Sequence, residues 1–336
     1  MNKGIPRQKQ QPILGLSIGF IVLLFCLLLS ITYGATDISW STIYESLTSF
    51  DGSTEHLIIR TVRLPRSLLA LIVGGAIATA GGIMQGITRN PLAGPGILGI
   101  NAGAVFAVVV AIFLFSSSAP SFYVWCAFAG AGITAVMVYL IASLGRSGIT
   151  PLNLTIAGAA ISSFLTSLTT AILIISQRTL EEIRFWLAGS LAGAQIDLIW
   201  QILPYVGSGF ILTLLIARQI TILSLGEEVA QGLGQETVWV KILAAICVVL
   251  LAGSTVAVAG AIGFLGFVIP HLVRFFVGVD YRWILPYSAL CGGIFLVLAD
   301  LAARLIIQPE EIPVGIMTAL LGAPFFIYLA KTKVRK

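Results

Sequence analysis

Charge is what this chain has least of. Lys, Arg, Asp and Glu together make up 10% of its 336 residues, beside two histidines and four cysteines. A solvated globular surface needs far more charge, since soluble domains carry about a quarter charged residues overall. Cys26, Cys126, Cys247 and Cys291 all sit inside apolar runs without the short spacing of a metal site. They read as small core residues, not as a disulfide framework or zinc ligands. No GxxxxGK[ST] occurs, and every lysine is terminal except Lys241, which follows "TVWV". The chain therefore has no P-loop with which to bind and hydrolyse ATP. HExxH, a Ser/His/Asp arrangement and a pair of carboxylates inside an apolar run are also missing, which removes support for enzyme chemistry in the bilayer. The net charge of +5 comes without a Lys/Arg block outside the termini, so nucleic acid is not expected as a partner.

What the chain has in abundance is hydrophobic length. It is 58% hydrophobic with a mean hydropathy of +1.02. Its apolar runs are close to the ~20 residues that cross a hydrocarbon core. They fall near residues 13–33, 67–87, 97–115, 122–143, 152–175, 196–217, 240–262, 264–277, 284–305 and 312–330, the eighth short and interrupted by Gly and Pro. This predicts an all-α polytopic membrane protein of about ten spans, a single transmembrane domain over residues 1–336. The first run is too long for a signal-peptide core and offers no small-x-small site near Cys26 or Ser30, so it reads as an uncleaved span. Ten spans put both termini on one side. With the termini inside, inner segments collect 13 of the 19 Lys and Arg residues and outer segments 6, which places both termini in the cytoplasm. Three segments then lie outside the bilayer: outer 34–66, outer 176–195 and inner 218–239. The 35 glycines fit spans packed closely on one another.

Three stretches carry more than hydropathy. "AGGIMQGITRNPLAGPGILGINAGA" (80–104) holds seven glycines, two prolines, Gln85, Arg89 and two asparagines between apolar runs. Asn90 and Pro91 suit a turn. Glycine-rich irregular backbone at membrane depth is tolerated only against protein or a water-filled cavity, so the stretch is either a tight inter-helix turn or part of a pathway. "LSLGEEVAQGLGQ" (223–235) sets Leu225, Val229 and Leu233 at four-residue spacing and puts Glu227 and Glu228 in a helical first turn. Its acidity disfavours an anionic lipid surface and favours a protein partner. His271, in "GAIGFLGFVIPHLVRFF", is the one histidine within a span; without a second histidine or a neighbouring carboxylate it reads as a packed core residue. Arg63 and Arg66 flank Pro65 at the start of the second span, where cations oppose the helix dipole. Arg304 lies at a helix C-terminus, four residues after Asp300, a favourable intrahelical pair. Interfacial snorkelling is the plain alternative to a recognition role, and it is the stronger reading for Arg304 than for Arg63 and Arg66.

Taken together, "RLPRSLLALIVGGAIATAGGIMQGITRNPLAGPGILGINAGA", "FWLAGSLAGA", "LGEEVAQGLG", "GAIGFLGFVIPHLVRFFVG" and "EIPVGIMTALLGAPFFIYL" resemble the membrane permeases of the iron-siderophore, haem and vitamin B12 class of ABC importers, FecCD-like type II importers. The resemblance runs from about residue 57 to 330. It implies a ten-span subunit whose spans 2–5 and 7–10 are related by inverted pseudo-symmetry. It further implies a second permease subunit, identical or paralogous, two cytoplasmic ATPase subunits that carry ATP and Mg, and an extracytoplasmic binding protein, all at a prokaryotic cytoplasmic membrane. The chain itself would hold no cofactor and no metal. By the same resemblance the fifth and tenth spans line a passage between two permeases, and Asn90, Pro91 and Leu92, with Thr150, Pro151, Leu152 and Asn153, narrow its cytoplasmic mouth. The coupling loop 218–239 would dock on the ATPase through Leu225, Gly226, Glu227, Glu228, Val229, Leu233 and Gly234. Arg63, Arg66 and Arg304 would receive the binding protein. The expected cargo is a ferric siderophore, with haem or cobalamin as alternatives. An ion-gradient transporter is the competing class, and its candidates for a coupling residue are Asp300 and His271.

Overall fold

The computed structural model describes residues 12–34, 38–115, 120–145, 150–307 and 310–333. Among these, seven helices are long and apolar enough to cross a membrane, and three shorter apolar helices complete the expected ten. These ten are α1 (Pro12–Thr32), α4 (Leu64–Thr88), α5 (Ile100–Leu114), α6 (Pro120–Ser143), α7 (Pro151–Ile175), α9 (Ile196–Ser224), α11 and α12 (Thr237–Val248 and Ser254–Ala259, joined through a π-turn), α13 (Leu265–Val277), α14 (Tyr281–Ile306) and α15 (Val314–Lys333). Between them lie the short α2 (Trp40–Thr48) and α3 (Thr54–Ile58), the amphipathic α8 (Gln177–Leu187) and α10 (Glu227–Gly232). The end of the bundle where α1 terminates is called distal below, and the opposite end proximal.

The sequence explains where these helices begin and end. α7 starts at a Thr150 side chain that accepts from Asn153 N, with Pro151 in the first turn, where a missing N–H costs nothing. α14 starts at Asp280, whose carboxylate accepts from Arg282 N. The third and eighth spans, α5 and α13, are the short ones, and each follows irregular backbone: a 3-10 turn over Pro95–Leu98 before α5, and residues 260–264 before α13. These two helices take second place in the two four-span halves, 2–5 and 7–10.

Close backbone approach sets the packing. α4 lies in the middle, buried along most of its length, and crosses α14 at Gly74 and Gly292. A Cβ on either glycine would run into the carbonyl of the other. Gly103 of α5 and Gly130 of α6 meet in the same way. Small residues at these crossings let helices associate by dispersion where lipid offers no hydrophobic drive.

Two boundaries differ from the sequence reading. Residues 218–224, placed in an inner loop, continue α9 through Ser224, because Ile220 and Leu223 keep their apolar face against the bundle. The outer segment 34–66 is not simply a loop: it carries α2, α3 and a π-turn at Ile59–Arg63, folded around a small cluster of Ile31, Ile38, Ile43 and Ile59.

Candidate transport sites

The distal end gathers the three arginines singled out in the sequence, but inside the protein. Arg63, Arg66 and Arg304 are 5%, 7% and 6% exposed. Arg66 donates to Asp300 through Nε and Nη2 at 2.8–3.0 Å and to Glu311 Oε2 through Nη1 at 2.6 Å. Asp300, fully buried, also faces Arg304 Nε at 3.1 Å, so the intrahelical pair exists and is shared with α4. Arg304 donates to the carbonyl and hydroxyl of Ser30. Arg63 donates to the Ile31 and Thr32 carbonyls at 2.7 Å. Two cations thus satisfy the open carbonyls at the C-terminus of α1, where the helix dipole favours positive charge. Glu311 is the solvent-facing member, its side chain 43% exposed. Simple snorkelling does not describe arginines held this way.

The proximal end holds the residues expected at the gate and in the coupling loop. α4 ends at Arg89 in the left-handed conformation, φ 50°. The Asn90 side chain accepts from Leu92 N at 3.0 Å, and Ala93 N donates to the Asn90 carbonyl, closing a compact turn that leaves Leu92 exposed. Thr150, Pro151, Leu152 and Asn153 form the first turn of α7, with Leu152 exposed. Pro151 and Leu154 line one small cavity with Ile87, Leu98 and Lys241, and Gly158 of α7 lies against the Ile97 carbonyl.

α10 is shorter than the 223–235 helix read from the sequence. Gly226, at φ 136°, takes a backbone conformation that only glycine adopts without strain, and Gly234, at φ 79°, closes the C-terminal end. Ala230 faces the bundle, whereas Leu225, Val229 and Leu233 stand 62%, 48% and 65% exposed. The apolar stripe therefore points away from the protein, beside exposed Glu228. Glu227 does not share that outlook: it accepts from Lys241 Nζ at 2.6 Å and Thr237 Oγ1 at 3.0 Å. Partial desolvation opposes its charge, but the Lys241 hydrogen bond and charge, Thr237 and the charge of Arg89 outweigh that and hold Glu227 below its ordinary pKa.

One surface escaped the sequence reading. On α7, Thr155, Ser163, Thr166, Ser167 and Thr170 all face outward. Thr155, Ser167 and Thr170 donate back to carbonyls of their own helix, leaving hydroxyl oxygens that can accept weakly. The three-to-four-residue recurrence of Ser and Thr in "NLTIAGAAISSFLTSLTTA" was the available signal. A cavity of about 270 Å³ lies between the irregular turns before α5 and α13, lined by Pro95, Ile97, Asn101, Gly263 and Phe264 among others. His271 packs edge-on against Phe275 and Phe325.

A family model described as the FecCD transport family matches residues 22–332. The chain is 49% identical over 310 residues to the "Probable siderophore transport system permease protein YfiZ" of Bacillus subtilis, covering 92% of this chain and 93% of that one. It is 46% identical to the iron(3+)-hydroxamate import system permease protein FhuB of the same organism, covering 93% and 82%. It superposes on the solved structure of an inward-facing metal-chelate type ABC transporter with a TM-score of 0.85 and 30% identity, covering 95% of this chain and 99% of that one.

Proposed function

The chain belongs to the FecCD transport family, and from that premise we propose that it is the permease subunit of an ATP-driven importer carrying a ferric siderophore across a prokaryotic cytoplasmic membrane. ATP and Mg belong to separate ATPase subunits. The distal end faces outward and the proximal end, with both termini, faces the cytoplasm, a reading supported by the Lys and Arg distribution. The observation that carries this reading is the outward hydroxyl face of α7, on the span that the family resemblance assigns to the passage. Beside the exposed apolar Ile156, Phe164 and Leu168 of the same helix, these hydroxyls suit the wall of a passage shared with a second permease, where weak acceptors let a polar chelate slide without being trapped. Haem is the competing cargo, since a hemin transport system permease protein of Yersinia pestis is 39% identical. Cells with and without this chain, given radiolabelled ferric hydroxamate, ferric catecholate, ferric citrate and haem, are expected to differ in uptake of a ferric siderophore. That uptake should stop on ATP depletion and persist when the proton gradient alone is collapsed. Gene-dependent uptake of haem alone would replace the cargo, and uptake driven by the ion gradient would replace the class.

The same reading places the binding protein on the distal arginine cluster, with partner carboxylates approaching Arg66 from the side now held by Glu311. An arriving carboxylate competes with Glu311, not with buried Asp300. Glu311→Gln is therefore expected to tighten docking roughly three- to tenfold at low salt and to leave the bundle folded, since a partly exposed pair contributes little to stability. Surface plasmon resonance over a salt series checks this; an affinity unchanged by the substitution and flat with ionic strength would take the docking face elsewhere.

A further inference from the structure

The backbone at Arg89 is unusual for the residue that occupies it. A left-handed φ of 50° suits Gly or Asn, whereas a long β-carbon-bearing side chain there is uncommon. A cation at the C-terminus of α4 gains from the helix dipole, which alone could justify Arg. The side chain does more than that. Its Nη1 stands 3.7 Å from where a Cβ of Gly226 would lie, so the guanidinium reaches across from the Asn90–Leu92 turn to the start of α10. The next residue of α10, Glu227, is held by Lys241 at 2.6 Å. Lys241, 7% exposed, lines the small cavity beside Pro151 of the second gate segment and the adjoining Leu154. One carboxylate thus stands between a cation attached to the first gate turn and a cation packed beside the second.

We propose that Arg89 is a positioning residue that ties the cytoplasmic gate to the ATPase-docking helix: with Lys241 it makes Glu227 the common node through which displacement of α10 moves both gate segments together. This rests on the importer reading given above. Rigid elements joined by charge pairs with two arrangements can carry such a displacement. The direction of force is set by which of α10's residues meet the partner. The exposed stripe of Leu225, Val229 and Leu233 receives it, and Glu227, on the bundle side, passes it on.

The test uses the complete complex of permease, ATPase and binding protein in nanodiscs, with the four native cysteines changed to alanine and Leu92→Cys as a reporter. The readouts are the rate of Leu92→Cys modification by a bulky maleimide with and without ATP, and the ATP hydrolysis rate. Arg89→Asn removes the cation while easing the backbone, so folding is not at risk. We expect ATP to change the reporter rate at least about fivefold in the parent complex. Arg89→Asn should abolish that response while ATPase association and hydrolysis persist, and Arg89→Lys should keep most of it. Glu227→Gln combined with Arg89→Asn should be no worse than the more severe single change, as for two residues acting through one node. A cap-only role would lower thermal stability and leave the reporter's ATP response intact, which would overturn the proposal, as would additive effects of the two changes. A parent complex whose Leu92→Cys site is blind to ATP would overturn the importer reading and this inference with it.

Discussion

Asp300→Asn is expected to be the most damaging single substitution of a polar residue in this chain. The Asp300 carboxylate is fully buried and serves Arg66 on α4 and Arg304 on its own helix. Neutralising it leaves two guanidiniums facing each other without their shared counter-ion, and removing one partner of a buried ion pair costs about 3–5 kcal/mol. The consequence should spread along the distal end, because Arg304 also holds the Ser30 carbonyl of α1. Arg304→Met is the instructive comparison: it leaves Asp300 with Arg66, so its loss should be clearly smaller. Thermal unfolding of the purified permease in detergent, with a size-exclusion profile for each variant, checks both. Equal and small shifts would mean that water reaches the cluster and the arginines stand freer than the geometry states.

Val229→Asp is expected to have the largest effect on function with the least effect on fold. Val229 is half exposed at the centre of a stripe whose other members, Leu225 and Leu233, are more exposed still. A bilayer surface does not suit this helix, since its flanking Glu228 would be repelled by anionic lipid. Burying a Val or Leu side chain is worth about 1.5–3 kcal/mol, and a carboxylate forced into such a contact forfeits this and adds its own desolvation. Affinity for the ATPase should fall at least about a hundredfold, with the melting temperature of the isolated permease unchanged. Co-purification and ligand-stimulated ATP hydrolysis measure the first, and thermal unfolding the second. Ala230→Asp should do the reverse, because Ala230 faces the bundle. Glu227 is not a suitable surface probe: its ion pair with Lys241 makes charge reversal there a test of the loop's integrity.

The spans were legible because hydrophobic length is a local property. Ten apolar runs correspond to ten apolar helices, and even the short eighth run, 264–277, matches α13. The exposed stripe of Leu225, Val229 and Leu233 was legible for the same reason, as local spacing, although only Val229 lies within α10 while Leu225 caps the end of α9 and Leu233 that of α10. What the sequence withheld was partnership across the fold. Arg66 finds Asp300, 234 positions away, and nothing in the charge pattern near Pro65 distinguishes a cation buried in a network from one waiting at a surface. The Asp300–Arg304 spacing was readable, but the sharing of that carboxylate with α4 was not. It changes the meaning of the residue: an acid locked between two arginines at a helix end is poorly placed to couple an ion gradient. The end of α9 was misjudged because polar residues such as Arg218 and Gln219 suggested a loop, whereas tertiary packing of Ile220 and Leu223 carried the helix on. Arg89 gave no local signal at all, since its role depends on a backbone angle and on a glycine well over a hundred residues later.

The central claim is that this permease moves an iron chelate with energy taken from ATP on separate subunits. Its most direct measurement is accumulation of a radioiron-labelled ferric siderophore by liposomes containing the purified complex, with ATP trapped on the α10 side and the binding protein on the distal side. The account predicts accumulation that requires both, stops with vanadate and disappears with Val229→Asp. Accumulation driven by an imposed proton or sodium gradient without ATP, or undiminished by Val229→Asp, would contradict it.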